Sequence, residues 1–339
     1  MKVFTKIIII LLALILVTDI ASSFYFYNLS VARTKKDFLA NDSALISTVA
    51  AENISTSSGD VAVSAKLYSA KLEDTVELDW FNNQPYEEVS ITSGDGLRLV
   101  GYYLKAEQPS GKTAILAHGY SSKGTYMGSY AKIYYDLGYN VLLPDSRGHG
   151  KSEGNNIGFG WTDRKDFLQW IDFVISMTGQ ETQIVLHGVS MGGAAVLMTS
   201  GEKLPSSVKA VVSDCAYTSV QAELEYQLNR LFKLPAFPLL DTTSLLTKLR
   251  AGYSFKEASA LEQVKKSSTP TLFIHGDSDM FVPSGMVYEL YDACTSPKDI
   301  YIVQGAGHGT AFETDVPGYK NKIREFIEKY VDVTLLLQP

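Results

Sequence analysis

Gly188-Val189-Ser190-Met191-Gly192 stands between the apolar run Ile184, Val185, Leu186 and the small-residue run Ala194, Ala195, Val196, Leu197, Met198. The first run reads as a buried strand and the second as a helix, so Ser190 falls on the corner between them. A serine on so sharp a turn sits in a strained backbone region, and the residues two places to either side come close together. Glycine at 188 and 192 removes that clash. The corner lifts the hydroxyl above the sheet and points the first amides of the helix, beginning with that of Met191, at any oxyanion formed there. The residue types therefore point to a nucleophilic serine.

The histidines lie around this corner in a regular way. His118, His149, His187, His275 and His308 are each followed directly by glycine, at or near the end of a predicted strand. His149, His187 and His275 read as packed core or loop imidazoles. His308 lies in the glycine-rich stretch Gly305 to Gly309, after the strand-like Ile300 to Val303, which leaves its ring able to project as a general base. Upstream, Leu272, Phe273 and Ile274 run into His275-Gly276-Asp277-Ser278-Asp279, which puts a carboxylate at another strand end. The chain order is then serine, acid, histidine, from Ser190 through Asp279 to His308, which accompanies this type of turn and differs from the orders of the chymotrypsin and subtilisin folds.

Residues from about Tyr86 to Val331 thus resemble the α/β-hydrolase superfamily, and within it the bacterial serine aminopeptidase-like or lysophospholipase-like branch. Four motifs carry the resemblance in order: His118-Gly119-Tyr120 after the strand Ala114 to Leu116, Asp145 to Ser152 after Val141 to Leu143, the Ser190 corner, and the Asp279 and His308 loops. The resemblance implies that the acid follows the glycine after its strand by three residues, which selects Asp279 and leaves Asp277 to cap the loop. It also implies a second oxyanion amide from Tyr120, whose ring would line the pocket. Asp214, at the end of the preceding strand, is the reserve acid. No cofactor is expected.

Two other readings fail on single residues. Gly150-Lys151-Ser152 suggests a phosphate loop, but Asp145 stands where that loop needs glycine. Gly305-Ala306-Gly307-His308 is not a dinucleotide fingerprint, since position 310 is threonine. The resemblance implies that Asp145 to Ser152 is a structural loop beside the active site, with Arg147 and His149 as scaffold rather than catalysts. A formal charge of -7 argues against sequence-independent nucleic-acid binding. Cys215 and Cys294 have no metal-like spacing, and the histidines do not recur at zinc-protease spacing, so no metal site is expected.

At 339 residues the chain is long enough for one α/β unit of roughly 250 residues plus an appendage. The expected organisation is an anchor or signal over 1–27, a spacer over 28–85 and a hydrolase domain over 86–335. Two alternating runs about Gly94-Asp95-Gly96 predict an opening hairpin. After it come a helix over Tyr126 to Leu137, a strand over Asn140 to Leu143, a helix over Thr162 to Ser176 and a strand over Lys209 to Ser213. Right-handed crossovers then give a mostly parallel sheet covered on both faces. The rhythm breaks at about 217–256, which predicts a helical cap; Leu231, Phe232, Leu234, Phe237, Leu239 and Leu240 each read as packing that cap onto the domain, and as a group they bias the substrate toward a partly hydrophobic acyl group.

Ahead of the domain, Ile7 to Val17 is uninterruptedly apolar, and Asp19 is the one charge between Lys6 and Arg33. Eleven helical residues cover only about 16 Å of a roughly 30 Å hydrocarbon core, as a cleavable signal would, with Ala21-Ser22-Ser23 as its cleavage site. A helix continued to Tyr27 spans the core and ends in the aromatic belt Phe24 to Tyr27, at the cost of holding Asp19 inside. The anchor is the preferred expectation, with the domain outside the cytoplasm; secretion is the alternative. Residues 62–72 have helix-like apolar spacing, and Asn28-Leu29-Ser30 and Asn53-Ile54-Ser55 are formal glycosylation acceptors without an assigned role.

These residues predict a serine hydrolase that cleaves an ester through an acyl-serine, acting on a small acyl substrate. An aminopeptidase-type serine peptidase, on a short peptidyl substrate, would use the same residues. A noncatalytic, membrane-tethered binding protein on a hydrolase scaffold is the third reading, and its signature would be a broken triad.

Overall fold

The structure, a computed structural model, describes residues 2–36, 39, 42, 45 and 80–331. It opens with a long helix, α1 (Lys2–Ser30), that runs on through Asp19 and through Ala21 to Ser23 without a break. The helix expected within 62–72 lies outside the described residues.

The two alternating runs form the hairpin β1 (Glu87–Thr92) and β2 (Arg98–Leu104). Thereafter strands and helices alternate: β3 (Lys112–Ala117), α2 (Gly128–Asp136), β4 (Asn140–Pro144), α3 (Asp163–Thr178), β5 (Gln183–Val189), α4 (Met191–Ser200) and β6 (Val208–Asp214). The cap follows as α5 (Val220–Phe232) and α6 (Leu239–Ala251). The rest is α7 (Ala260–Val264), β7 (Thr271–Gly276), α8 (Gly285–Ala293), β8 (Lys298–Val303), α9 (Ala311–Thr314) and α10 (Val316–Ile327). The helix predicted over Tyr126 to Leu137 has a 3-10 first turn, Gly124–Met127, before α2 begins. Gly124 is wedged there against the sheet, where a Cβ would lie 2.4 Å from the Leu143 carbonyl oxygen.

The eight strands form one sheet in the order β1-β2-β4-β3-β5-β6-β7-β8. β2 runs antiparallel to both neighbours, and β4 through β8 pair in parallel. Successive side chains of a strand point to opposite faces, so β3 and β5 divide their residues between two cores. Ile115, Ala117, Ile184 and Leu186 pack with α3, α4 and the cap side. Ala114, Leu116 and Val185 pack with α2 and α10. Covered on both faces, the central strands carry near-continuous apolar runs, as is usual for a parallel sheet. This is the α/β-hydrolase fold with a helical cap.

Candidate active site

β5 ends at Val189 and α4 starts at Met191, so Ser190 alone makes the corner. Its φ of 57° and ψ of -117° are a conformation that L side chains rarely adopt. The reason for the glycines is steric. A Cβ on Gly188 would lie 2.1 Å from the Gly192 carbonyl oxygen, and one on Gly192 would lie 2.0 Å from that of Ala117. The Ser190 amide donates to the Asp214 carbonyl at 2.8 Å, which ties the corner to β6.

The loops after β7 and β8 reach the same point. His308 Nε2 is 2.8 Å from Ser190 Oγ, and His308 Nδ1 is 2.8 Å from Asp279 Oδ2. The other carboxylate oxygen, Oδ1, accepts from the amides of Phe281 and Val282 at 2.9 and 2.8 Å. The structure thus brings Ser190, His308 and Asp279 into one hydrogen-bonded line. Cys215, Asp279 and His308 also hold ligand-type atoms within 4.8 Å of one another, and both nitrogens of His308 are hydrogen-bonded within the line. Burial pushes the Cys215 thiol up to about 11.

Electrostatics couple the acid and the ring. Burial alone would raise Asp279, but His308 and a hydrogen bond from His275 hold its carboxyl well below the usual carboxylate range. Burial alone would also discourage a charge on His308; the Asp279 carboxylate outweighs it and raises the proton affinity of the ring well above that of an ordinary histidine.

His275 was expected simply to pack, and it is indeed buried, but it does more. Its Nε2 lies 3.0 Å from the Val282 carbonyl oxygen and 3.1 Å from Asp279 Oδ2. Both neighbours only accept, so Nε2 carries the proton and donates. His187 does pack, between the hydroxyls of Tyr134 and Tyr319, and burial pushes it down to about 3. His118 is enclosed as well; its Nε2 accepts from the Ser146 amide at 3.0 Å. Asp277 bridges two loops by accepting from the Gly305 amide at 2.7 Å. Asp214, the reserve acid, accepts from Tyr319 at 2.8 Å and not from a histidine.

The Asp145 to Ser152 segment is a scaffold. Asp145 is buried and accepts from the amides of Gly124 and Lys151, each at 2.7 Å, which leaves no cradle for a phosphate. Arg147 joins the β1–β2 turn to α3 by pairing with Asp95 and Asp166 at 2.8 and 2.7 Å. His149 accepts from the Ser121 amide at 3.3 Å.

An apolar pocket opens beside Ser190. Tyr120 and Met191 line it next to the serine, and Leu231, Phe232, Leu239 and Leu240 contribute from the cap. Leu234 and Phe237, from the same run, neither line the pocket nor pack inside the cap but face outward. Sequence reasoning missed three parts of the lining. Phe26 and Leu29 come from α1, and Glu223 from α5 is the one charged side chain among the described lining residues. Glu223 Oε1 accepts from Gln227 at 2.7 Å, while Oε2 has no hydrogen-bond partner among the described residues. Burial pushes its carboxyl up to about 7. The signal was faint: one acid one turn into an otherwise unremarkable amphipathic helix.

The comparisons agree with this architecture. The profile of the prolyl oligopeptidase family matches residues 125–334. A Bacillus subtilis protein, YqkD, is 30% identical over 244 residues, which cover 72% of this chain and 80% of that one. A membrane protein of Saccharomyces cerevisiae is 26% identical over 249 residues, covering 72% and 80%. Among solved structures, an esterase of Pyrococcus furiosus superposes with a TM-score of 0.61 at 23% identity, covering 74% of this chain and 93% of that one. With a corner serine on the strand order described above and a family profile spanning most of the domain, the chain belongs to the prolyl oligopeptidase family of the α/β-hydrolase superfamily.

Proposed function

We propose that the chain is a serine hydrolase that cleaves a carboxylic ester through an acyl-serine. The observation that carries this reading is the line from Ser190 Oγ through His308 to Asp279, with 2.8 Å at each link, beside an apolar pocket. His308 Nε2 takes the Ser190 proton as Oγ attacks the ester carbon, and Asp279 holds the imidazole in the required tautomer. The amides of Met191 and Tyr120 stabilise the tetrahedral oxyanion. His308 then gives its proton to the leaving alkoxide. Water, deprotonated by the same ring, attacks the acyl-serine, and as the ester bond to Ser190 Oγ breaks His308 returns the proton to Oγ and the acid leaves.

One observation favours a second reading. An ionised Glu223 with its unpartnered oxygen suits the ammonium group of a peptide amino terminus, and the matching family is named for peptidases. The apolar lining elsewhere favours the ester. Turnover of acyl esters of increasing chain length, set beside aminoacyl amides, decides between them: a clear preference for amides overturns the ester reading. Fluorophosphonate labelling of the wild type, lost in Ser190→Ala, is the expected result for either enzyme. Absence of labelling in a folded wild-type sample would mean a binding protein on this scaffold.

The same reading places α1 in a membrane. It is long and apolar enough to cross one, and the S. cerevisiae relative is called a membrane protein. The domain then lies on the outer side, and protease protection of the domain in sealed right-side-out vesicles would overturn that orientation.

A further inference from the structure

In this structure α1 builds part of the substrate pocket as well as leading into the domain. We propose that α1 and the cap helix α6 enter the lipid together, so that the pocket takes its acyl chain directly from the bilayer. This rests on the hydrolase reading above and adds the substrate class: an ester of a long fatty acyl chain, dissolved in a membrane.

Depth along α1 is the first observation. The roughly 30 Å hydrocarbon core takes about 20 helical residues. Counted from Lys6, that stretch reaches Phe26 and includes Asp19. A carboxylate at that depth needs a polar partner. It has one: Thr242 Oγ1, on α6, donates to Asp19 Oδ2 at 2.6 Å. Eight residues along α6, the Arg250 guanidinium sits over the rings of Phe24 and Tyr27, 5.2 and 5.3 Å from their centroids. The two helices therefore run side by side in the same direction, and α6 shares the depth of residues 19–27.

The surface of α6 suits that placement. Leu245 and Leu249, one turn apart beside the α1 contact, are 61% and 77% exposed. Phe237, at the deeper end of α6, is 76% exposed. Side chains of this size exposed together, continuous with a spanning helix, mark a lipid contact. The face ends at Asp241 and Lys248, which are paired with Lys256 and Glu257.

α1 and the cap meet again at the pocket. Phe26 of α1 meets Phe232 of the cap edge-on at 5.1 Å between centroids, and both line the pocket with Leu29. Tyr120, beside Ser190, donates its hydroxyl to the Ser30 carbonyl at 2.7 Å. A chain that leaves the lipid between α1 and α5 thus passes over a mostly apolar lining, broken by Glu223 and Gln227, on its way to the serine.

The test uses the full chain in phosphatidylcholine vesicles. A nitroxide on Leu245→Cys is expected to be relaxed more by oxygen than by a water-soluble nickel complex, since both native cysteines are buried. Preference for nickel would overturn the proposal by putting α6 in water. Protection from both reagents would overturn it by putting protein over the face. Independently, Leu245→Glu with Leu249→Glu is expected to slow hydrolysis of methylumbelliferyl palmitate in the vesicles at least tenfold, with methylumbelliferyl acetate in water unchanged within twofold. Equal palmitate rates overturn the proposal. Loss of acetate hydrolysis in the wild type instead refutes the hydrolase reading, while the nitroxide result still decides the depth of α6.

Discussion

Asp279 Oδ2 receives two imidazoles: His308 Nδ1 at 2.8 Å and His275 Nε2 at 3.1 Å. The second hydrogen bond draws negative charge away from the first. In His275→Phe, which cannot donate, the carboxylate would act more fully on His308, so the acid limb of kcat/KM moves to higher pH while kcat falls about tenfold. A merely structural role for His275 would lower the rate without moving the limb. The pH profile is the measurement.

Asp279→Asn works in the opposite direction on the same ring. His308 loses the charge that raises its proton affinity, so its limb moves down in pH. The tautomer is lost as well, and kcat is expected to fall by about 10⁴, as when other triads lose their carboxylate. Single-turnover rates from pH 5 to pH 9 check both effects.

At position 190 stability and activity part company. The φ of 57° is strained for serine and ordinary for glycine. Ser190→Ala and Ser190→Gly should both lack turnover, but glycine should unfold later, by about 1–2 kcal/mol, a rise of roughly 2–8 °C. Differential scanning calorimetry of the two variants compares them directly; an equal Tm would mean the corner is unstrained.

Glu223 makes stability depend on pH. Its carboxyl is pushed up to about 7 in the folded chain, so folding holds a proton that the unfolded chain releases near the ordinary 4.5. Its contribution is fully present below pH 4.5 and is lost as pH rises through 7. Glu223→Gln should therefore match the wild type at pH 4.5 and exceed it at pH 8 by up to about 3 kcal/mol. Thermal unfolding at the two values reads the difference.

The parts of this molecule that sequence made legible are those set by local sterics and by periodicity. Gly188, Ser190 and Gly192 announce their corner because no other residue fits beside it, and β3 through β8 announce themselves as short apolar runs closed by turns. Asp277 and Asp279 could be told apart only by resemblance to a family, since they sit two residues apart in one loop; in the fold, one faces Gly305 and the other His308. His275 gave no signal because a packed imidazole and a donating one share the same apolar surroundings. The α1 contribution was hidden for another reason. Phe26 and Leu29 belong to a run that lipid exposure explains without reference to Ser190, more than 150 positions away.

The end of α1 is held rigidly. Lys36 Nζ donates to the carbonyls of Leu29 and Ala32 at 2.8 Å each, and Arg33 donates to those of Gly150 and Ser152 at 2.7 Å each. If α1 crosses a bilayer as proposed, it would tilt to suit a thinner one only by carrying the domain with it. Membrane thickness would then set the angle at which Ser190 meets the lipid surface, and the same polypeptide could work at different speeds in leaflets of different acyl length.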